Sequence, residues 1–548
     1  MLFIKQISGL ALLCGLILVA YALHDKIQGR WSPDSDICST DLDCSSKFTS
    51  CRSGFCEHKG IFPLSLAEFF SAFIVLLTIS LGNSVGIGGG AIITVTGYTL
   101  LDLTVTEAVA VANLTIFCAM FSGYLMNFYK KHPLKNATLV DYGIVQCQMP
   151  VIGVGTFVGS QLNTVLPDIV VLLFLMALLV CIAAAAILKC IDLLRKENSL
   201  LNLTEQVRPL NGRHGHINSA SSNIDEVSSE RIKLLEEDSP KEKLFSSGNR
   251  LFHPVNSSTR APQDSDLLVS SQRQNLDKVG DESNSGLDPL KTFGAQKAEY
   301  TSEEISPTLE KIFYGERHHF TIDKIILVGV PNLLVTIIRI FRGSSTFQNL
   351  IGLSKCSAVD WVFFCLELST LVAFSFINII LLRKSYQEKK QSGYKFVKGD
   401  VEWNDRSVAA FGGLAGVGGF VAQTVGLSTE VLFTPSYIRM GVMPPVAGVT
   451  SQFLGMWATM TGSILFAIMG YMHFEIGLWL GLFSTIGTIF GSEAIGGYVG
   501  RKGRLSIALG IISFLVIASI VAEGSAGIVK AINKRNDGEN IWAFGNYC

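Results

Sequence analysis

The sequence predicts an all-α polytopic membrane protein of two homologous, inverted repeats, with about eight full spans and two glycine-rich segments that break and re-enter. Three observations carry this. A motif occurs twice, as Gly155-Thr156-Phe157-Val158-Gly159-Ser160-Gln161 and Gly487-Thr488-Ile489-Phe490-Gly491-Ser492-Glu493. Upstream of each copy an apolar run is interrupted, at Gly86-Ile87-Gly88-Gly89-Gly90 and at Gly426-Leu427-Ser428-Thr429-Glu430. Duplicated, interrupted hydrophobic segments are the sequence mark of secondary transporters, with the interruptions at the binding site. Finally, 49% hydrophobic and 16% charged residues, with a mean hydropathy of +0.40, average over a chain that also contains a long polar insert. The rest is therefore very apolar.

The elements follow in order. Residues 1–22 read as a signal peptide, with Lys5, an apolar run from 7 to 19, and Ala20-Tyr21-Ala22 as a cleavage pattern; an uncleaved anchor is the alternative. Segment 23–63 is thereby sent across the membrane, and it holds Cys38, Cys44, Cys51 and Cys56, which suggest two disulfides with three possible pairings. A zinc site competes, but no C-x-x-C pair is present. The first repeat occupies 64–194, a disordered cytosolic loop 195–322, a linking pair of spans 323–383, the second repeat 406–522, and a tail 523–548. Spans are predicted at 107–128, 142–165, 169–187, 361–382, 446–469, 475–496 and 505–521, with a weaker one at 325–341 that carries Pro331 and Arg339. The insert is rich in Ser, Asn, Asp, Glu and Lys, as unstructured linkers are.

Basic residues set the orientation. Lys130, Lys131, Lys135, Lys189, Arg195, Lys196, Arg383, Lys384, Lys389, Lys390, Arg501, Lys502 and Arg504 flank spans and are expected in the cytosol. This agrees with a translocated N-terminus only if 64–101 enters and returns to the same side, through arms 64–81 and 91–101. The second break, 407–441, then enters from the cytosol. Arg339, Arg342, Lys355, Lys530, Lys534 and Arg535 remain as exceptions on the outer side. A rival topology makes both broken segments full spans.

The chemistry of the breaks follows from glycine. Gly86, Gly88, Gly89, Gly90 and Gly426 leave the backbone open, so amides at a half-helix N-terminus can point at a small oxyanion; Ser428 and Thr429 add hydroxyls. Close packing is the competing reading, and the better one for Gly155, Gly159, Gly487 and Gly491. Asn113 and Thr115 open the next span of the first half, and Thr450 and Ser451 that of the second; they either converge on the ligand or bond to backbone carbonyls. Glu367, Glu430 and Glu493, with Glu68 nearer an edge, are the acids within apolar runs; the first three are coupling candidates, Glu493 standing opposite Gln161 in the repeat, with exposure to water as the alternative. Glu430 sits in a break, where an acid repels an anion unless protonated, which makes protons the candidate coupling ion; binding a cation or capping the half-helix is the alternative.

The motifs Gly86-Ile87-Gly88-Gly89-Gly90, Phe433-Thr434-Pro435 and Gly441-Val442-Met443-Pro444-Pro445-Val446-Ala447-Gly448-Val449-Thr450-Ser451 resemble the TauE/SafE family of sulfite and organosulfonate exporters. The Cys-bearing segment, long central loop and Lys355-Cys356-Ser357-Ala358-Val359-Asp360-Trp361 resemble its eukaryotic branch. The resemblance covers 64–194 and 323–522, and implies movement of small sulfur-containing anions without ATP. The second break departs from the family pattern, reading Gly-Leu-Ser-Thr-Glu where the first reads Gly-Ile-Gly-Gly-Gly. The expected partners are a small anion, the bilayer of the plasma membrane or an endomembrane, and protons. No cofactor, metal or nucleic acid is implied, the net charge being −1. An enzyme is disfavoured because no Ser/His or His-rich arrangement occurs in the spans. The alternative is a receptor or scaffold that displays the Cys-bearing segment and the central loop.

Overall fold

A computed structural model describes residues 38–40, 49–52, 55–58, 64–85, 89–207, 306–319, 321–342, 356–495, 505–536, 540 and 542–545. The signal peptide, Cys44, Lys355, the first three residues of the first break and residues 208–305 of the insert lie outside them. Residues 1–194 and 289–548 form one compact unit, and 195–288 a second, described only as helix to Val207.

Two short strands, β1 (Thr49–Arg52) and β2 (Phe55–His58), pair antiparallel with Cys51 opposite Cys56, and Cys38 is disulfide-bonded to Cys51. Cys356 is also disulfide-bonded. The helices are α1 (Leu66–Val85), α2 (Gly90–Leu100), α3 (Val105–Asn127), α4 (Tyr142–Val165), α5 (Asp168–Val207), α6 (Pro307–Arg317) and α7 (Ile322–Arg342). Then come α8 (Ala358–Gln391), α9 (Asp405–Val425), α10 (Glu430–Arg439), α11 (Pro444–Met469), α12 (Phe474–Phe490), a π-helical turn at Gly491–Ile495, and α13 (Leu505–Asn536). Among the described residues nine helices are long and apolar enough to cross a membrane: α1, α3, α5, α7, α8, α9, α11, α12 and α13. The chain is a multi-pass integral membrane protein. α4 is as long, but Gln146, Gln148, Gln161 and Asn163 make it less apolar.

Local sequence sets the helix ends. Thr104 and Glu107 form a capping box for α3, Asp141 accepts two amides at the start of α4, and Asn404 and Ser407 cap α9. α11 starts on Pro444 and stops at Gly470 in the left-handed conformation.

The polar ends of the helices define two faces. At the tail face, Lys530 pairs with Asp102 (2.9 Å), Lys534 with Asp168 (3.3 Å) and His473 with Glu107 (2.9 Å). At the loop face, Lys135 pairs with Asp400 (2.7 Å), Lys389 with Glu316 (2.6 Å), and Arg383 with Asp405. α6 and the residues after it dock on this face: His319 bonds the Phe128 carbonyl (2.8 Å) and stacks on the Phe128 ring. The insert was expected to be disordered through 322, but its end is a capped helix held by these contacts.

Between the faces, each duplicated glycine motif packs on the arm leading into the other half's break. A Cβ at Gly155 would strike the Gly416 carbonyl and one at Gly159 the Phe420 carbonyl, so α4 and α9 touch backbone to backbone and run in the same sense. Likewise Gly487 meets the Leu76 carbonyl and Gly491 that of Ser80, so α1 runs alongside α12. α1 therefore enters from the tail face, and α2 returns there, where Lys530 donates to the Tyr98 carbonyl (3.2 Å). α9 enters from the loop face, and α10 returns to it, where Tyr437 bonds Gln148. The first arms are longer than the half-helices the sequence suggested: 20 and 21 residues, about 30 Å each. The remaining long helices, α3, α4, α5, α7, α8, α11, α12 and α13, alternate between the faces.

Four of the six basic residues expected to violate the charge rule are paired; Lys355 lies outside the described residues, and Arg535 lies in the last turn of α13 beside Lys534. Arg339 bonds Glu367 (2.5 Å), Arg342 bonds Asp360 (2.6 Å), and Lys530 and Lys534 hold the acids named above. Cys356 precedes α8, whose far end carries the loop-face Arg383, so its disulfide lies toward the tail face. Disulfides belong to oxidising compartments. With the loop face in the cytosol, the sequons at Asn136, Asn202 and Asn256 are expected to stay unglycosylated, and glycosidase treatment of protein expressed in eukaryotic cells should leave gel mobility unchanged.

His132 in the loop face gives a pH dependence. Burial, with Lys135 nearby, pushes it down from 6.5 to about 4, and its Nδ1 accepts the Leu134 amide. The unfolded chain thus binds a proton that the folded loop refuses between those values. Stability is full above the unfolded pKa and declines as pH falls from about 6.5 toward 4, by at most about 3 kcal/mol. Thermal unfolding of detergent-purified protein across this range should show the decline, and His132→Gln should flatten it.

Candidate functional site

α9 ends at Gly426, which takes φ +71°, and α10 starts after Thr429 with no side-chain cap. α2 likewise starts at Gly90 after an uncapped Gly89. Val431 and Leu432 of α10 donate to the Ser428 and Thr429 carbonyls (3.3 and 3.1 Å), so the amides left to face a ligand are those at the very start of each half-helix, at Gly90 and Glu430. The fold brings them together: Thr94 of α2 donates to the Gly426 carbonyl (3.2 Å), and a Cβ at Gly90 would lie 2.6 Å from the Ser428 nitrogen. Gly89 abuts Thr78 of α1 just as closely.

Around this contact, buried polar atoms lack partners among the described residues: Thr78 Oγ1, Ser428 Oγ, Thr429 Oγ1 and Gln423 Oε1. Each buried, unpaired hydroxyl costs about 1–3 kcal/mol, so such a cluster is not a packing device. Three of the four are hydroxyls able to donate, and the Gln423 oxygen can only accept. Glu430, also buried, opens α10 at the same place and has no hydrogen-bond partner among the described residues.

Of the residues singled out in the sequence, Gly89, Gly90, Gly426, Ser428, Thr429 and Glu430 converge here, while Gly86 and Gly88 lie outside the described residues. Asn113 reaches the edge of the site and is satisfied: its Oδ1 accepts from Gln423 Nε2 (3.0 Å) and its Nδ2 donates to the Val109 carbonyl. Thr115 bonds the Val111 carbonyl within α3. Thr450 and Ser451 sit toward the loop face, bound to the Asp141 amide (2.9 Å) and Thr434 (2.6 Å); the contact with Thr429 comes from Gly455, one turn further along α11.

The other acids lie elsewhere. Glu367 is fully buried but paired with Arg339, which ties α8 to α7. Glu493 is exposed on the π-helical turn, and Glu68 folds back on the Ser65 amide.

Sequence reading missed Gln423, Thr94 and Thr78. Gln423 had a signal: it stands three residues ahead of Gly426, as Asn83 stands three ahead of Gly86. Each amide bonds to the other half, Gln423 to Asn113 and Asn83 to Thr488 (2.9 Å). Thr94 and Thr78 bear no such mark, because a threonine inside an apolar helix ordinarily bonds its own backbone.

Gly426→Ala should be severe, since it forces a side chain into a left-handed backbone and into Thr94 Oγ1, whereas Gly412→Ala meets open space. Fluorescence-detected size-exclusion chromatography should show a clear loss of monodisperse protein for the first, about 1–3 kcal/mol of destabilisation, and none for the second.

Comparison with known proteins points one way. The family profile described as "Sulfite exporter TauE/SafE" matches residues 330–520, from within α7 to α13. "Sulfite exporter TauE/SafE family protein 3" of Arabidopsis thaliana is 20% identical over 487 residues, covering 88% of this chain and 82% of its own. "Sulfite exporter TauE/SafE family protein 1" of the same plant is 22% identical over 204 residues, 36% of this chain and 44% of its own. No solved structure matches.

Proposed function

The chain belongs to the TauE/SafE family, and from that premise we propose that it is a secondary transporter of small sulfur-containing oxyanions, such as sulfite or a sulfonate. The observation that carries this reading is the meeting of two uncapped half-helix N-termini amid buried hydroxyls that have no acceptor. Each N-terminus carries roughly half a positive charge, so the pair suits one small anion. Ser428 and Thr429 supply donors, and the amides of α2 and α10 the rest. Because one hairpin enters from each face, rocking one half against the other opens the site to either side in turn.

Glu430 begins α10 within this site, where an ionised carboxylate opposes the anion. Protonated, it becomes a donor. The anion then enters with a proton or after one, which supports proton coupling.

The test is flux of radiolabelled sulfite, sulfate and taurine-like sulfonates in proteoliposomes, with the Ser428→Ala, Thr429→Val double variant beside the wild type. Losing hydrogen bonds to a charged ligand, about 1.5–3 kcal/mol each, should raise the half-saturating concentration at least tenfold. Removing hydroxyls that are unpaired without ligand should leave thermal stability equal or higher. Wild-type vesicles that move none of these anions would reject the reading.

A further inference from the structure

α13 buries one side only. Ser513, Val516, Ser519 and Glu523 are covered, at the three- to four-residue spacing of a single helical face, while Phe514, Ile517, Val521 and Ile528 are exposed as lipid-facing residues are. The covered face packs on α1 and α2, the hairpin of the first break. On it the Glu523 carboxyl is 1% exposed, and neither oxygen has a hydrogen-bond partner among the described residues.

Groups that could neutralise it are committed elsewhere or absent. On α1 the titratable group is Glu68, bonded to the Ser65 amide. On α2 it is Tyr98, whose ring lies under the Lys530 ammonium at 4.1 Å. α5, which touches α13 at Gly510, Gly524 and Gly527, carries Asp168, held by Lys534, and further along Cys181, Lys189, Cys190 and Asp192. On α13 itself, Lys530 binds Asp102 and the Tyr98 and Leu103 carbonyls. Glu523 therefore differs from Glu367, which has Arg339, and from Glu493, which is exposed. A lone carboxylate in apolar surroundings is costly enough to be kept only where it works.

Its depth is informative. Lys530 bonds the Tyr98 carbonyl, and both α13 and α2 run toward the tail face. Glu523 stands seven residues before Lys530, about 10 Å along the axis, as Ala91 stands seven before Tyr98. The carboxyl is thus level with the start of α2, on the flank of the half-helix whose N-terminus faces the second break.

We propose that Glu523 is a proton-binding site that couples anion movement to a proton gradient, by setting whether the seam between α13 and the α1–α2 hairpin is charged or neutral. The inference rests on the transporter reading. An O–H bond forms with a proton from water on one face and breaks to water on the other, with no redox partner. Protonated, the seam is neutral and the hairpin is free to shift past α13; ionised, the carboxylate draws water and holds the seam in one state.

The experiment uses the full-length protein in proteoliposomes. Glu523→Gln should keep sulfite exchange between equal pools while losing the stimulation by a pH gradient that the wild type shows. An infrared carboxylic-acid band present in the wild type at neutral pH should vanish in the variant. Dicyclohexylcarbodiimide, which attacks protonated carboxyls in apolar sites, should label wild-type Glu523 in peptide mass spectrometry; this readout does not depend on how the variant folds. An unchanged infrared band with no label, or gradient stimulation intact in Glu523→Gln, overturns the proposal. If the wild type moves no anion, the transporter reading falls by itself, and coupling with it; the band and the label then report only whether Glu523 holds a proton.

Discussion

A helix interrupted at membrane depth strands backbone amides and carbonyls that hydrocarbon cannot satisfy, and this chain has two such interruptions. Irregular backbone is tolerated there only where protein or a water-filled cavity covers it. The two breaks cover each other, with Gly90 against Ser428 and Thr94 on the Gly426 carbonyl. Most of the surrounding architecture serves that contact. Backbone-to-backbone packing at Gly155, Gly159, Gly487 and Gly491 clamps each long arm against a helix of the other half, so the hairpins cannot separate without opening both seams.

Charge is handled by the same economy. Arg339, Arg342, Lys530 and Lys534, at the tail face or in the interior, are each matched to an acid, and the Arg339–Glu367 pair stays buried because both partners are present. Against that background the unpaired carboxyls stand out. Glu430 opens α10 within the second break, and Glu523 lies on the face of α13 that packs on the first hairpin. Buried carboxyls without a hydrogen-bond partner are expected where a ligand or a proton completes them.

Much of the architecture was legible in the chain. Span lengths, the glycine interruptions and the placement of lysines and arginines all act through local physics, namely helix rise, backbone freedom and the cost of charge in lipid. The candidate site was only half legible. Ser428, Thr429 and Glu430 announce themselves by interrupting an apolar run. Thr450 and Ser451 look alike in sequence and point instead to Asp141 and Thr434. Gln423, Thr78 and Glu523 gain meaning from what surrounds them, and a side chain's neighbours across hundreds of residues leave no local trace.

The sequence by itself determined that the chain is a multi-pass membrane protein with two glycine-broken helices, because each of those features is a property of a short stretch of residues. The tertiary structure decided that the breaks touch, that each glycine motif clamps the other half, and which polar atoms remain without partners. Those are relations between segments hundreds of residues apart, such as Thr94 and Gly426, and only packing sets them.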